Sequence, residues 1–243
     1  MTLVLLTVLA ACSSERNAAD VRDDTTASCV QGEDWPVFDG GLEAGEGQIA
    51  ATSGDIDIDG QPDEVALFTE AVGTENLAWV RVEFGSGGVA TGRWSGDAFA
   101  PVPDSEIRVA ELSSVASEVA ANEIIIQVGE ATADAGWSVV ALEGCSVVTT
   151  TIDGDAFIFG RGRSNGVATI AGCFAVSRDE GTVQLRVNKR EFAASQWIQE
   201  DYQLGGTTWT LLDSQLFSDF PVGDGSILFP VSPTLDSCQP LQR

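Results

Sequence analysis

The sequence predicts an all-β protein of antiparallel sheets, and three observations carry that expectation. Apolar and polar residues alternate with a period of two. Val80, Val82 and Phe84 alternate with Arg81 and Glu83, and Val183, Leu185 and Val187 with Gln184, Arg186 and Asn188; this is the side-chain period of a strand with one covered face. Glycine-rich turns punctuate such runs: Gly85-Ser86-Gly87-Gly88, Asp153-Gly154, Gly205-Gly206 and Gly223-Asp224-Gly225. The unbroken run Ile124-Ile125-Ile126 fits a strand covered on both faces.

In chain order, residues 1–11 come first. Thr2 to Leu9 is apolar and runs into Leu9-Ala10-Ala11-Cys12, with no Lys or Arg ahead of it. The run is shorter than the roughly 20 residues a bilayer-spanning helix needs and fits the apolar part of a signal peptide. It resembles a bacterial lipoprotein signal with its lipobox. The resemblance implies cleavage before Cys12, lipidation of Cys12 and anchoring to a membrane outside the cytoplasm. The small polar residues of 12–28 then read as a flexible tether, because they offer too little apolar surface to offset the entropy of ordering. Residues 29–243 form the expected β-rich globular domain.

Near its start lies Asp55-Ile56-Asp57-Ile58-Asp59-Gly60-Gln61-Pro62-Asp63, followed at once by the strand-like Glu64-Val65-Ala66-Leu67-Phe68. A hard cation such as Ca2+ takes six to eight oxygen ligands. The side chains of Asp55, Asp57, Asp59 and Asp63 and the carbonyl of Gln61 supply most of them. Gly60 permits the sharp turn that wraps one short loop around one ion. Ile56 and Ile58 alternate with the acids and are expected to point into a core. An EF-hand is excluded, because its twelfth position requires a bidentate Glu and helices on both sides, and here that position is Ala66 within a β run. The pattern D-x-D-x-D-G-x-x-D leading into a strand resembles the FG-GAP/VCBS repeat, the calcium loop of integrin-α-type β-propellers. That resemblance implies a calcium ion on Asp55, Asp57, Asp59, Gln61 and Asp63.

A period of about 59 residues runs through the domain. Glu64–Phe68 aligns with Glu123–Gln127 and with Thr182–Arg186, and each is followed by a tryptophan: Trp79, Trp137 and Trp197. This predicts three copies of a strand, a turn and a Trp-bearing strand, hence a small or partial β-propeller-like arrangement of about three blade-like repeats. A β-sandwich is the alternative. The acidic loop precedes only the first copy. Before the second, the matching positions are Ser114, Ala116, Glu118 and Asn122, a poor ligand set. The stretch from Ser105 to Asn122, rich in Ala, Glu, Ser and Val, suits a helical turn or a strand.

With Cys12 assigned to lipid, Cys29, Cys145, Cys173 and Cys238 remain. An even number in an exported chain favours two disulfides. Of the three pairings, the expectation taken is Cys145–Cys173 and Cys29–Cys238; buried free thiols are the alternative. No C-x-x-C spacing supports a zinc ribbon or a thioredoxin-like site.

Composition bounds the function. With 37 Asp+Glu against 12 Lys+Arg, the net charge is −25, which argues against a nucleic-acid partner. There is no histidine, which removes Ser-His-Asp and Cys-His catalysis and His-ligated zinc. Gly162-Arg163-Ser164-Asn165-Gly166 fits G-x-S-x-G, but without an imidazole to take the serine proton it reads as a turn. Carboxylate-pair glycosidase chemistry stays open, and its mark would be two facing acids in a groove lined by exposed tryptophan. Trp35, Trp94 and Trp209 are expected in the core. The expectation is a non-enzymatic, membrane-anchored calcium-binding β-domain for surface binding, adhesion or structure, with its protein or glycan ligand unassigned. The alternative is a secreted glycoside hydrolase or carbohydrate-binding protein.

Overall fold

The computed structural model describes residues 29, 47–72, 75–95, 101, 105–110, 112, 121–129, 136–160, 162–164, 167–177, 182–191, 196–218 and 237–238. The expected signal segment, Cys12, the expected tether, Trp35, Ser114, Ala116, Glu118 and the expected turn at 223–225 lie outside the described residues.

The chain is all-β, as its alternation predicts. Among the described residues the strands are β1 (Gln48–Gly54), β2 (Asp63–Val72), β3 (Glu75–Glu83), β4 (Val89–Arg93), β5 (Ile107–Ala110), β6 (Glu123–Val128), β7 (Gly136–Glu143) and β8 (Ser146–Thr149). They continue with β9 (Thr151–Ile152), β10 (Asp155–Ala156), β11 (Ile158–Gly160), β12 (Gly162–Ser164), β13 (Val167–Ser177), β14 (Thr182–Glu191), β15 (Trp197–Gly205) and β16 (Thr208–Phe217). The stretch that suited helix or strand yields β5 at Ile107–Ala110, and residues 113–120 lie outside the described residues. Gly162–Ser164 of the G-x-S-x-G match is strand β12, paired with β13.

Two sheets form. The first runs β1-β2-β3-β4-β8-β7-β6-β5, with β11 added beside β7. It curls into a nearly closed barrel in which β1 returns to face β5. The second, a half-barrel, runs β10-β9-β16-β15-β14-β13-β12. Pairing is antiparallel except at β4–β8 and β9–β16.

Each predicted repeat is a hairpin: β2–β3 carries Trp79, β6–β7 carries Trp137 and β14–β15 carries Trp197. Trp79 faces Phe68, and Trp137 faces Gln127, the last residue of the aligned run in each case. The hairpins are joined into two sheets rather than standing as separate blades, because Thr91 of β4 pairs in parallel with Ser146 of β8 and fuses the first two copies. Gly92 makes that junction possible, since a Cβ there would lie 1.7 Å from the Val147 carbonyl oxygen.

The period of two sorts the side chains into two cores. Val65, Leu67, Val80, Val82, Ile124 and Ile126 fill the barrel. Ile125, Trp137 and Val139 face outward from the same sheet and meet Leu185, Val187 and Tyr202 of the half-barrel. The Ile124–Ile126 run is therefore covered on both faces, which explains its unbroken hydrophobicity.

The disulfides join the four expected cysteines in a different pairing. Cys29 bonds Cys145 and Cys173 bonds Cys238, which corrects Cys145–Cys173 and Cys29–Cys238. The reason lies in the layers. Cys29 runs beside β4, where its carbonyl accepts the Val89 N–H at 3.0 Å. Cys145 sits in the β7–β8 turn of the same sheet, while Cys173 lies on β13 and faces the other core. Two disulfides fit an oxidising, extracytoplasmic compartment.

Candidate metal centre

The β1–β2 connection, residues 55–62, is anchored by its isoleucines. Ile56 is fully buried in the barrel core and Ile58 is 3 % exposed, as the alternation with acids predicts. Ile58 has φ 58° and Gly60 φ 89°. A β-branched residue in the left-handed region is strained, and burial of its side chain offsets that strain. Two left-handed turns in three residues coil the loop so that its acids converge.

Carboxylate oxygens of Asp55, Asp57 and Asp63 lie within 4.8 Å of one another. Asp63 is 1 % exposed; its Oδ2 accepts the Ile56 N–H at 2.5 Å and its Oδ1 the Gly85 N–H at 2.9 Å. Burial pushes its pKa up, and the neighbouring Asp57 charge adds to this against the backbone N–H donors of Gly85, Ile56 and Asp57. Asp55 Oδ2 accepts the Gly60 N–H at 3.0 Å, while Asp55 Oδ1 is buried with no hydrogen-bond partner. Asp57 Oδ1 accepts the Asp59 N–H at 3.2 Å.

Asp59 and Gln61 are placed differently. Asp59 accepts from the Gln61 backbone at 2.6 Å and from its side-chain amide at 3.0 Å. It is outside the group whose oxygens meet. The structure therefore gathers three of the four expected carboxylates, while the Asp59 carboxylate accepts from the Gln61 N–H and side-chain amide.

Two supporting residues carry no acid signature in the sequence. Asn122 Nδ2 donates to the Asp55 carbonyl at 2.6 Å, and its backbone N–H donates to the Ile56 carbonyl at 2.8 Å. Gly85, in the β3–β4 turn, supplies the N–H to Asp63. The loop is thus held from the start of β6 and from the far end of β3. Asn122 sits at a position aligned with Asp63 in the 59-residue period, which is the one signal that pointed to it.

The donor set suits a hard divalent cation. Ca2+–oxygen distances of about 2.3–2.6 Å put ligands on opposite sides of an ion roughly 4.6–5.2 Å apart, and the three carboxylates meet within that span. A cation would also compensate the buried, unpaired Asp55 oxygen and the repulsion between Asp57 and Asp63.

A second feature lies on the outer face of β1, β2 and β3, a groove of about 430 Å3. Glu64 faces Glu83 across the ladder, and Ala66 faces Arg81. Arg81 pairs with Glu83, and burial lowers its pKa against the opposing charge of Glu64. The aromatic pair alongside, Phe68 and Trp79, is buried. Trp94 and Trp209 are buried too. Facing acids are therefore present in a groove, but none of these tryptophans is exposed.

No protein-family model, no curated protein and no solved structure matches the chain. No helix among the described residues is long and apolar enough to cross a membrane.

Proposed function

We propose that this chain is an exported, lipid-anchored β-domain that binds Ca2+ in the 55–63 loop, acts without enzymatic chemistry, and works in surface binding, adhesion or envelope structure. The observation that supports it best is the convergence of Asp55, Asp57 and Asp63 beside an unpaired buried carboxylate oxygen. In this reading Asp55, Asp57 and Asp63 hold the ion, and a backbone carbonyl with solvent completes its coordination. The ion's role is structural. It joins β1 to β2 and, through Asn122, to β6, and by binding only the folded chain it raises stability. At a calcium concentration one hundred times the Kd the gain is about 2.7 kcal/mol. Isothermal titration of the metal-free chain should give one site, lost in Asp57→Ala, and excess chelator should lower Tm. A chain that releases no heat and melts identically with chelator would end this reading.

A second reading, carbohydrate binding, is favoured by the groove, where a guanidinium, two carboxylates and small alanines offer donors, acceptors and a shallow floor to a polyhydroxylated ligand. Neutral oligosaccharide binding that persists in chelator and is lost in Glu64→Gln would support it. A null result across a panel of neutral oligosaccharides would remove it.

A further inference from the structure

Strand β16 lies between β15 and the short β9–β10 hairpin of the half-barrel, and among the described residues most of its β9-side edge is unpaired. Along its full length it pairs with β15. On its other edge, among the described residues, it meets β9 at Thr208 alone. From Thr210 to Leu216 every residue is exposed. Leu211 and Leu212 are each 46 % exposed and Leu216 is 63 % exposed. Edge strands are usually blunted by lysine, proline, charge or bulges. Between Thr208 and Phe217 there is no Lys or Pro, and Asp213 is the single charge. The bulge against β15 falls at Leu212, between the pairs Asp201–Asp213 and Tyr202–Leu211, and leaves Asp213 to Phe217 regular.

The sequence of this edge is complementary to itself. In a two-fold antiparallel pairing one residue lies opposite its own copy, and opposite residues share a face. With Ser214 on the axis, Leu212 meets Leu216 of the second copy and Asp213 meets Gln215. Centring on Asp213 instead sets two carboxylates opposite each other, which is unfavourable. Centring on Gln215 sets Phe217 against Asp213. The polar centre is already arranged for such an exchange: Asp213 Oδ1 accepts the Ser214 N–H at 2.9 Å, and Asp213 Oδ2 accepts from Gln215 Nε2 at 2.6 Å.

We propose that β16 is the seam of a homodimer, in which two copies pair this strand antiparallel about Ser214 and join their half-barrels into one continuous sheet. The interface is isologous and closes, so it leaves no further β16 edge for fibre growth. It buries four leucines in two symmetric pairs and opposes no like charges along the strand. The net charge of −25 works against association at long range, so the dimer tightens as salt rises.

Sedimentation equilibrium tests this on the full chain carrying Cys12→Ser, so that no lipid drives association, with calcium and with chelator. The expected result is twice the monomer mass in both conditions, which separates the dimer from the metal site. Leu216→Lys alone and Leu212→Glu alone should each raise the dimer Kd about tenfold or more, with the melting temperature of the monomer unchanged. The double variant should recover the dimer, because each new carboxylate then faces a new ammonium across the axis. Ser214→Cys should give an intermolecular disulfide under mild oxidation. A wild-type chain that stays monomeric, or a dimer indifferent to Leu216→Lys, would overturn the proposal. A double variant that remains monomeric would overturn the Ser214 register.

Discussion

The barrel and the half-barrel are built from the same local unit, a strand, a turn and a Trp-bearing strand, yet one nearly closes and the other stays open. The difference lies at the seams. In the barrel, β1 approaches β5 closely enough that a Cβ on Gly54 would lie 2.7 Å from Val109 Cγ2. The acidic loop then crosses that seam and is held by Asn122 at the start of β6. Mostly aliphatic residues fill the interior, with Phe84 and Trp94 among them. The second core is richer in rings: Phe157 packs at an angle near both Tyr202 and Trp209, with centroids 4.8 and 5.0 Å away. This core fills the space between the two sheets, so the second sheet lies against the outside of the first and leaves most of the β16 edge unpaired among the described residues. A closed sheet removes its edges, while an open one must find something to do with them.

The disulfides offer the largest test of that contrast. Cys29–Cys145 fastens the N-terminal side of the domain to the β7–β8 turn of the barrel sheet and spans 116 residues. Cys173–Cys238 fastens the C-terminal side to β13 of the half-barrel and spans 65. On the chain-entropy account the first contributes about 5 kcal/mol and the second about 0.5 kcal/mol less. Replacing Cys29 and Cys145 together by Ser should therefore lower denaturant stability slightly more than replacing Cys173 and Cys238. Hydrogen exchange should show where each loss falls: on β4 and β8 in the first case, on β13 and β14 in the second. Uniform loss of protection in both variants would mean that the two sheets unfold as one unit. Peptide mapping of the oxidised chain that returned Cys145–Cys173 would undo the assignment altogether.

How much of this was legible in the sequence follows from the range of each interaction. Alternation, glycine turns and the Ile124–Ile126 run are local signals, and they located strands and the doubly covered β6 correctly. The three hairpins were readable for the same reason. Their distribution between two sheets was not, because it turns on a single parallel contact at Thr91–Ser146 and on the absent side chain of Gly92. Cysteine pairing failed likewise: sequence spacing does not say that Cys173 faces the second core. At the candidate metal centre, spacing placed Asp55, Asp57 and Asp63 and the inward isoleucines. The Asp59 carboxylate stands apart from these three and accepts from the neighbouring Gln61. Asn122 lies 67 residues from Asp55, so it had only its place in the repeat to mark it.

Acid separates the two regions more finely, with a smaller effect. In the half-barrel, Glu200 Oε2 accepts from Lys189 Nζ at 2.6 Å and from the Tyr202 hydroxyl at 2.7 Å. Burial pushes the Glu200 pKa up, but these two donors outweigh it, and the folded value lies below the ordinary 4.5. Burial and the same carboxylate raise the Tyr202 pKa, so its hydroxyl stays a donor. A carboxyl with a depressed folded pKa adds stability that is present above its unfolded pKa and lost as pH falls through the folded one. Asp63 at the barrel seam has the opposite sign in the metal-free chain: its raised pKa means that falling pH favours the folded form there. In chelator, acidification below pH 4.5 should therefore expose β14 and β15 amides to exchange before those of β2. Lys189→Met should cost about 1 kcal/mol at neutral pH, a modest figure because Lys189 is 43 % exposed. That cost should fade once Glu200 is protonated. A variant whose deficit is as large in acid as at neutrality would show that Lys189 acts through packing of its stem rather than through charge, and the electrostatic difference between the two sheets would vanish with it.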